Sequence, residues 1–456
     1  MKTKKIKDLF LFGPKSKIKA GDGKNNGRFP FYTSSPKQTK WIDQEQHFDE
    51  ALIFGTGGLA SVHFEDQPFS TSTDCIVAIT NNKEIKTKFV YFYLFGNIHL
   101  LERGFKGAGL KHISKKYIEN LDIPILPIET QNKIVSILDK ASSLISKREI
   151  SLTLLDELLK VIFLDMFGDA FSNSKNWIQE PLGENLDFIT SGSRGWAQYY
   201  SETGDIFLRI NNLGYNELLL NDIMYVTSPN STEAIRTQIK EGDVLLSITA
   251  DLGRTAVVPR NFPKAFVNQH IAILRPNKKI NPYYLSSFIS SIGGRQLLQK
   301  YSKGAAKSAL NFPDIKILNI SIPNINLQNK FEQDCLFIID EKEKLIKSKI
   351  ELELLFKSII QKVFNGQLNF NVDFELDSLV KEIDLQKKEN DLSKITGDIA
   401  YLQRLVDKLN NQEFKEKDLY DRAKHGAFQL MAVKEEERKV IQEYDENSKS
   451  LKLALK

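Results

Sequence analysis

Two kinds of segment in this chain carry residue types that could do chemistry on phosphates. The first is Phe54-Gly55-Thr56-Gly57-Gly58, which follows a short apolar run and has the glycines of a phosphate-cradling loop. A dinucleotide loop needs G-x-G-x-x-G opening a helix, and a P-loop needs a Gly-Lys-Ser/Thr ending. Neither is present, and Ala60-Ser61-Val62-His63-Phe64 reads as another strand, so the expectation is a tight turn open to DNA contact. The second kind is Lys106-Gly107-Ala108-Gly109-Leu110-Lys111 and its counterpart Lys303-Gly304-Ala305-Ala306-Lys307-Ser308. Glycine permits close backbone approach, and lysines such as Lys106, Lys111, Lys303 and Lys307 suit phosphate; a solvated loop is the alternative.

Other polar clusters are weaker. Asn281-Pro282-Tyr283-Tyr284 has the outline of an adenine-methyltransferase Asn-Pro-Pro-Tyr, but the second proline is missing and no acidic, glycine-rich cofactor loop precedes it. It sits where a helix should begin, with Pro282 at an early helical position, and is read as structural. Asn268-Gln269-His270 stands at a strand start and suits either base edges or buried hydrogen bonding to a neighbouring loop. The six histidines show no metal-ligand spacing, and Cys75 and Cys335 are too few and too far apart for a zinc site or a disulfide framework.

Basic charge is concentrated at the start. Residues 1–40 carry eleven lysines and arginines against two acids, with Phe29, Phe31, Tyr32 and Trp41 interleaved or adjacent. That mixture suits either a solvated arm or phosphate contacts with stacking, and Lys15, Lys17 and Lys37 are the candidate contacts. A second candidate surface is Ser191, Ser193, Arg194, Arg209, Asn211, Asn212 and Arg254, all in loops or at strand ends.

The elements that must position these residues occur twice. Lys106-Gly107-Ala108 returns 197 residues later as Lys303-Gly304-Ala305, Gln131-Asn132-Lys133 as Gln328-Asn329-Lys330, and Phe167 as Phe364. Solenoid units run roughly 20 to 50 residues, so this period marks a duplicated domain. Each copy opens with short β-branched runs: Ala51–Phe54 and Cys75–Ile79 in the first, Asp243–Ile248, Thr255–Val258 and Ile271–Leu274 in the second. An aromatic helix follows near 88–101 and 282–300. Each copy then enters a long helix after a proline-bearing strand end. Ile134, Leu138, Ala141 and Ile145 begin a three-four stripe that runs to Met166. Phe331, Cys335 and Ile338 begin one that runs to Val363. Such stripes predict a coiled-coil seam in which each helix is the other's partner. Arg148, Lys342 and Lys349 interrupt the stripes as register-fixing polar insertions. Past about residue 370 the repeat stops, and heptad spacing from Leu392 to Leu409 predicts a helical appendage.

The expectation is therefore an α+β chain with two similar α/β domains, two long helices pairing as an antiparallel coiled coil, and a C-terminal helical extension. The boundaries are 1–127 and 171–324 for the two similar domains, 128–170 and 325–369 for the helices, and 370–456 for the extension. At 456 residues and 41% hydrophobic content the chain has adequate cores. No apolar run approaches the roughly 18 residues of a membrane span, and no signal-peptide core follows the basic start, so the expected compartment is cytoplasmic with no membrane partner.

This arrangement resembles the DNA-specificity subunit of Type I restriction–modification systems. The carrying residues are Gly242–Thr249, Asn268–Pro276, and Ile320-Ser321-Ile322-Pro323 leading into the Gln328-Asn329-Lys330 helix. Ile189–Arg194 with Asp205–Ile210 is similar to the opening of a target-recognition domain. The first copy matches less well, having Ser72-Thr73-Asp74-Cys75 where the second has Asn-Gln-His. The resemblance covers residues 1 to about 369. It implies two domains that each read half of a bipartite site in double-stranded DNA, and paired helices that dock two methyltransferase subunits. It further implies no active site or bound cofactor in this chain. S-adenosylmethionine, ATP and Mg would belong to the methyltransferase and restriction/translocase partners. The rival readings are a DNA methyltransferase or nuclease with an unrecognised catalytic domain, and a coiled-coil scaffold that binds protein.

Overall fold

A computed structural model describes residues 2–80, 82–301, 309–364, 440–445 and 450–455. Two compact units account for most of them, one formed by residues 2–150 with 345–364, the other by 151–301 with 309–344. Each unit thus owns half of each long helix.

Within each unit the same topology appears. Unit one has a four-stranded antiparallel sheet in the order Leu11–Phe12, Cys75–Ile79, Ala51–Gly55, Ser61–Glu65. Unit two repeats it as Leu186–Ser191, Ile271–Pro276, Val244–Ser247, Thr255–Val257. A smaller sheet sets Phe29–Tyr32 antiparallel to Lys40–Ile42 and parallel to Ser70–Thr71. Its counterpart sets Asp205–Leu208 antiparallel to Met224–Val226 and parallel to Ala265–Val267, with Tyr200–Ser201 added at the edge. A third, two-stranded pairing joins Thr3–Lys5 to Asp122–Pro124, and Gln179–Pro181 to Asn319–Ser321. The duplication is one of strand order as well as of sequence.

The basic N-terminal segment is not an arm. It supplies strands to all three pairings of unit one, and Phe31 and Tyr32 are buried there. Two of its charges are held from far along the chain, Lys5 by Asp122 at 2.7 Å and Lys4 by Glu84.

The long helices, Ile128–Phe167 and Ile325–Phe364, are 40 residues each. Neither contains proline or glycine, so nothing inside them breaks the hydrogen-bond ladder. They pair antiparallel, the first half of one with the second half of the other. In unit one, Ile134, Leu138 and Ala141 share a core with Leu352, Ile359 and Val363. In unit two, Phe163 and Phe167 share a core with Phe331 and Cys335. The recognition domains continue these cores without a gap. Tyr284 packs edge-on against Phe167 at 4.7 Å, and in unit one Phe92 meets Phe356 at 6.1 Å.

Polar insertions fix the pairing. The Arg148 guanidinium is buried in the seam and donates from Nε to Ser348 Oγ at 3.2 Å. Lys349 meets Glu149 at 2.8 Å. In unit two, Lys342 reaches Asp156 on the facing helix at 2.7 Å and Glu217 of the recognition domain at 2.8 Å. Burial opposes the Lys342 ammonium, but hydrogen bonds and charge from Asp156 and Glu217 outweigh it and raise its pKa above the ordinary value.

The repeated glutamine has a structural reason. Gln131 is fully buried in the first turn of its helix. Its Oε1 accepts from the Lys86 backbone N–H at 2.9 Å, and its Nε2 donates to the carbonyls of Glu84 and Leu126 at 2.8 Å each. Gln328 repeats this with the Asn281 N–H at 2.8 Å and the carbonyls of Pro323 and Lys279 at 2.8 and 3.2 Å. Each amide therefore ties a long helix to the segment that starts a recognition-domain helix.

One expectation needs correction. The last part of the C-terminal extension is not helical: Val440–Asp445 and Ser450–Leu455 pair as an antiparallel hairpin. Ser450-Leu451-Lys452-Leu453-Ala454-Leu455 alternates apolar and polar or small residues with period two, which suits a strand. The helical reading of Leu392 to Leu409 falls outside the described residues.

A substitution of the buried amide should be costly. Gln328→Leu keeps most of the volume but strands a buried N–H and two carbonyls. It should destabilise the chain by about 1–3 kcal/mol for each group left unpaired. Urea unfolding of the variant against the unaltered chain measures this, and an unchanged midpoint would show that the clip is dispensable.

Candidate nucleic-acid interface

At one end of the unit-one sheet, five segments are stitched together by short hydrogen bonds. Ser34 Oγ donates to the Asp74 carbonyl at 2.7 Å and accepts from the N–H groups of Thr56 and Gly57 at 3.2 Å. The glycine-rich segment is the turn between Ala51–Gly55 and Ser61–Glu65, as its sequence suggests. The 106–112 loop closes on itself through paired Lys106 and His112 backbones, and leans on that turn through Ile113 N–H to Thr56 O at 3.1 Å. Thr73 N–H reaches the Ile18 carbonyl at 2.8 Å, bringing in the segment that carries Lys15 and Lys17. Lys37 follows Ser35, whose carbonyl meets His63 Nε2 at 2.9 Å. Lys15, Lys17, Lys37, Lys106 and Lys111 are all exposed on these segments. The structure thus gathers candidates spread over nearly a hundred residues of sequence.

Unit two builds the equivalent end from equivalent turns. The turn between Val244–Ser247 and Thr255–Val257 is stapled by Ser247 Oγ, which donates to Asp251 O at 2.6 Å and accepts from Arg254 N–H at 3.0 Å. Thr249 pairs with Ala309, just as Gly57 pairs with His112 in unit one. The Asn268-Gln269-His270 triplet is tied into the fold. Asn268 Oδ1 accepts from the His270 N–H at 3.1 Å, and His270 Nδ1 lies 2.9 Å from Thr249 Oγ1. Of the two readings of this triplet, the geometry favours internal hydrogen bonding. Beside it, Gly192 lies so close to the strand Ala265–Val267 that a Cβ would fall 1.9 Å from the Val267 carbonyl, so only glycine fits.

The sequence-selected polar residues of unit two divide sharply. Asn212 is buried, its Nδ2 donating to the carbonyls of Leu219 and Asp222 at 2.9 and 3.0 Å and its Oδ1 accepting from Arg209 N–H at 2.9 Å. Its amide is committed to the fold, so the expectation that it contacts DNA is withdrawn. Arg209 is paired with Asp222 at 2.7 Å. Arg254 is held by Asp251 at 2.7 Å and by the Leu213 carbonyl at 3.2 Å. Burial opposes the Asp251 charge, yet hydrogen bonds from Arg254 and Tyr215 and the nearby Arg295 charge hold its carboxyl below the usual range. Ser191 and Ser193 are half-buried, while Arg194 and Asn211 are exposed. Lys303 and Lys307 lie outside the described residues.

Sequence reasoning missed Arg236, in the last turn of the short helix Thr232–Thr237. Its guanidinium bonds to Thr190 Oγ1, to the Ser191 carbonyl at 3.0 Å and to Ser193 Oγ at 2.9 Å, and so shapes the 190–193 edge from a helix. No local spacing pairs residues more than forty apart in sequence. No helix among the described residues is long and apolar enough to cross a membrane.

The sequence profile of the Type I restriction modification DNA specificity domain matches residues 1–154 and 198–354. The chain is 20% identical over 343 residues to the Type I restriction enzyme MjaVIII specificity subunit of Methanocaldococcus jannaschii, covering 72% of this chain and 81% of that one. It is 21% identical over 370 residues to the Type I restriction enzyme EcoBI specificity subunit of Escherichia coli, covering 74% and 77%. The crystal structure of a Type I restriction–modification S subunit from M. genitalium superposes with a TM-score of 0.54 at 15% identity, covering 80% of this chain and 96% of that one. The fold is shared with that structure, and with the profile matched in both copies over more than half its length, the chain belongs to the Type I restriction modification DNA specificity family.

Proposed function

We propose that this member of the DNA specificity family reads a bipartite site in double-stranded DNA, one half with each unit, and delivers methyltransferase and restriction/translocase subunits to it. The observation that carries this reading is the repeated loop end: two domains of one topology, each presenting equivalent turns. Linked modules gain avidity when their separation matches that of their sites, so a duplicated reader suits a split target. The paired helices would set that separation, since 40 residues span roughly 60 Å at 1.5 Å per residue.

In this reading the chain performs no chemistry of its own. The glycine-rich segment is a strand-to-strand turn, and Asn281 caps the helix Pro282–Ser290, its Oδ1 accepting from Tyr283 N–H at 2.9 Å. Neither has the form of a cofactor site. S-adenosylmethionine, ATP and Mg are assigned to the partners.

Three outcomes follow. Purified chain mixed with labelled S-adenosylmethionine and DNA should transfer no methyl groups, whereas the chain assembled with methyltransferase subunits should methylate a split sequence. Robust transfer by the chain alone would favour the enzyme reading instead. Arg194, exposed at the 190–194 turn, is the candidate base reader of unit two. Arg194→Ala should cost about 1–3 kcal/mol of binding and relax one position of one half-site. An unchanged specificity profile would remove it from the interface.

The third outcome concerns spacing. Because each unit owns halves of both helices, lengthening one helix alone would set new turns against an unlengthened partner. Four residues inserted after Lys147 therefore need four more in the facing segment, after Lys347. Each insertion adds ~6 Å and turns its helix ~40° beyond a full turn, which roughly keeps the seam facing inward. Methylation mapping of the assembled variant should show a gap longer by about two base pairs, at ~34–36 Å per ten, with both half-sites intact. An unchanged gap in a folded, active complex would show that the helices do not set the spacing.

A further inference from the structure

Residues 151–344 contain seven arginines. Four of them face carboxylates: Arg209 with Asp222, Arg254 with Asp251, Arg260 with Glu241, and Arg275 with Asp243. Arg236 is consumed by the 190–193 edge. Among the described residues this leaves Arg194, on an exposed turn, and Arg295, which is different in kind.

Arg295 sits inside the helix Ile292–Tyr301 and is only half exposed. Its guanidinium lies over the Tyr215 ring, 4.6 Å from the centroid, and the same ring has Arg254 at 5.8 Å. The side-chain stem crosses Gly253, where a Cβ would come within 2.7 Å of Arg295 Cγ and where φ is +87°. That glycine supplies both the left-handed backbone and the space. Tyr215 is fixed in turn by its hydroxyl, which donates to Asp251 Oδ1 at 2.9 Å. The one carboxylate in the cluster is thus engaged by Arg254 and by the tyrosine hydroxyl. Arg295 Nε is buried without a hydrogen-bond partner, and among the described residues its terminal nitrogens have no acceptor either. A positioned guanidinium whose hydrogen bonds are unmet, beside the turn of a DNA-specificity domain and near only one carboxylate that Arg254 and Tyr215 already engage, is suited to an anion.

We infer that Arg295 is a contact to a DNA backbone phosphate, presented by Tyr215 and by the turn at Gly253. The inference rests on the DNA-binding reading above and names a residue that reading did not include. Phosphate is favoured over a base edge because the stem is packed along the turn and the ring. The guanidinium is therefore held at the domain surface and does not project from it on a free arm. Arginine's planar fork fits a phosphodiester bidentately, and stacking on an aromatic face fixes its plane.

The experiment uses the full chain assembled with methyltransferase subunits and titrated with cognate and non-cognate duplexes over a range of salt. Arg295→Ala should weaken both duplexes alike and lower the slope of log affinity against log salt by about 0.9, the loss of one phosphate contact. Arg295→Lys, which keeps the charge, should retain the slope. Arg295→Gln serves as a second neutral variant should the alanine form unfold, and thermal unfolding of each variant separates lost folding from lost contact. An unchanged slope in folded Arg295→Ala or Arg295→Gln would overturn the inference, as would a loss confined to one base position. If the unaltered complex shows no sequence-dependent DNA binding, the functional reading itself fails, which is a distinguishable result.

Discussion

Both recognition domains depend on one buried amide each. A side-chain amide has four hydrogen-bonding sites and is expensive to bury unless they are met. Gln131 and Gln328 are fully enclosed, with three of those four sites met by backbone groups from two separate segments. Those backbone groups are themselves in need of partners. In unit two they stand beside Asn281, which caps the helix bearing Tyr284 and reaches Glu332 on the long helix at 2.7 Å. Direction therefore comes from hydrogen bonds while affinity comes from the apolar core, and a domain held this way has little freedom to swivel on its helix.

That fixed join changes how the loop ends are to be understood. Residues that look free in sequence are largely spent on making the turns rigid: Ser34 on two N–H groups and a carbonyl, Ser247 on its own turn, Arg254 on Asp251 and Leu213. A preorganised surface loses less entropy on binding than a flexible one. Among the described candidates, those that remain exposed are the five lysines of the stitched segments in unit one, and Arg194 and Asn211 in unit two.

Much of the architecture was legible because its signals are local. The β-branched runs, the prolines before each long helix and the three-four stripes fall on strands, boundaries and seams within a few residues of where they were expected. The 1–40 segment misled because its strands are short, and the acids that hold Lys4 and Lys5 lie 80 and 117 residues away. The candidate site was half legible for a related reason. Selecting loops picked out Arg194 and the unit-one lysines, which are exposed, but it also took Asn212 and Arg254, which structural partners claim. It passed over Arg236 and Arg295, which work from short helices. The Asp251 and Arg254 pair, three apart in sequence, was the one local hint that an apparently free arginine was committed. The terminal hairpin had its own signal in the period-two alternation of Ser450–Leu455.

The division between join and loop bears on how specificity can vary. Phe163, Phe167, Tyr284 and Phe331 bury the contact between the second domain and the helices, and Gln328 sets its direction. None of these side chains belongs to the turns at 190–194, 248–254 or 268–270. If those turns face DNA as proposed, changes in their exposed residues would act on what is read, and changes at the join on where it is read from. The separation is not complete, because Ile248 and Leu252 of the second turn pack into the same core as Phe163, Tyr284 and Phe331, and residues that share a core do not contribute additively to stability. A chain built this way could change the exposed residues of its turns while Ile248, Leu252 and the helix packing stay as they are, provided that Gly192 keeps its close approach to the Val267 carbonyl and Gly253 its left-handed backbone.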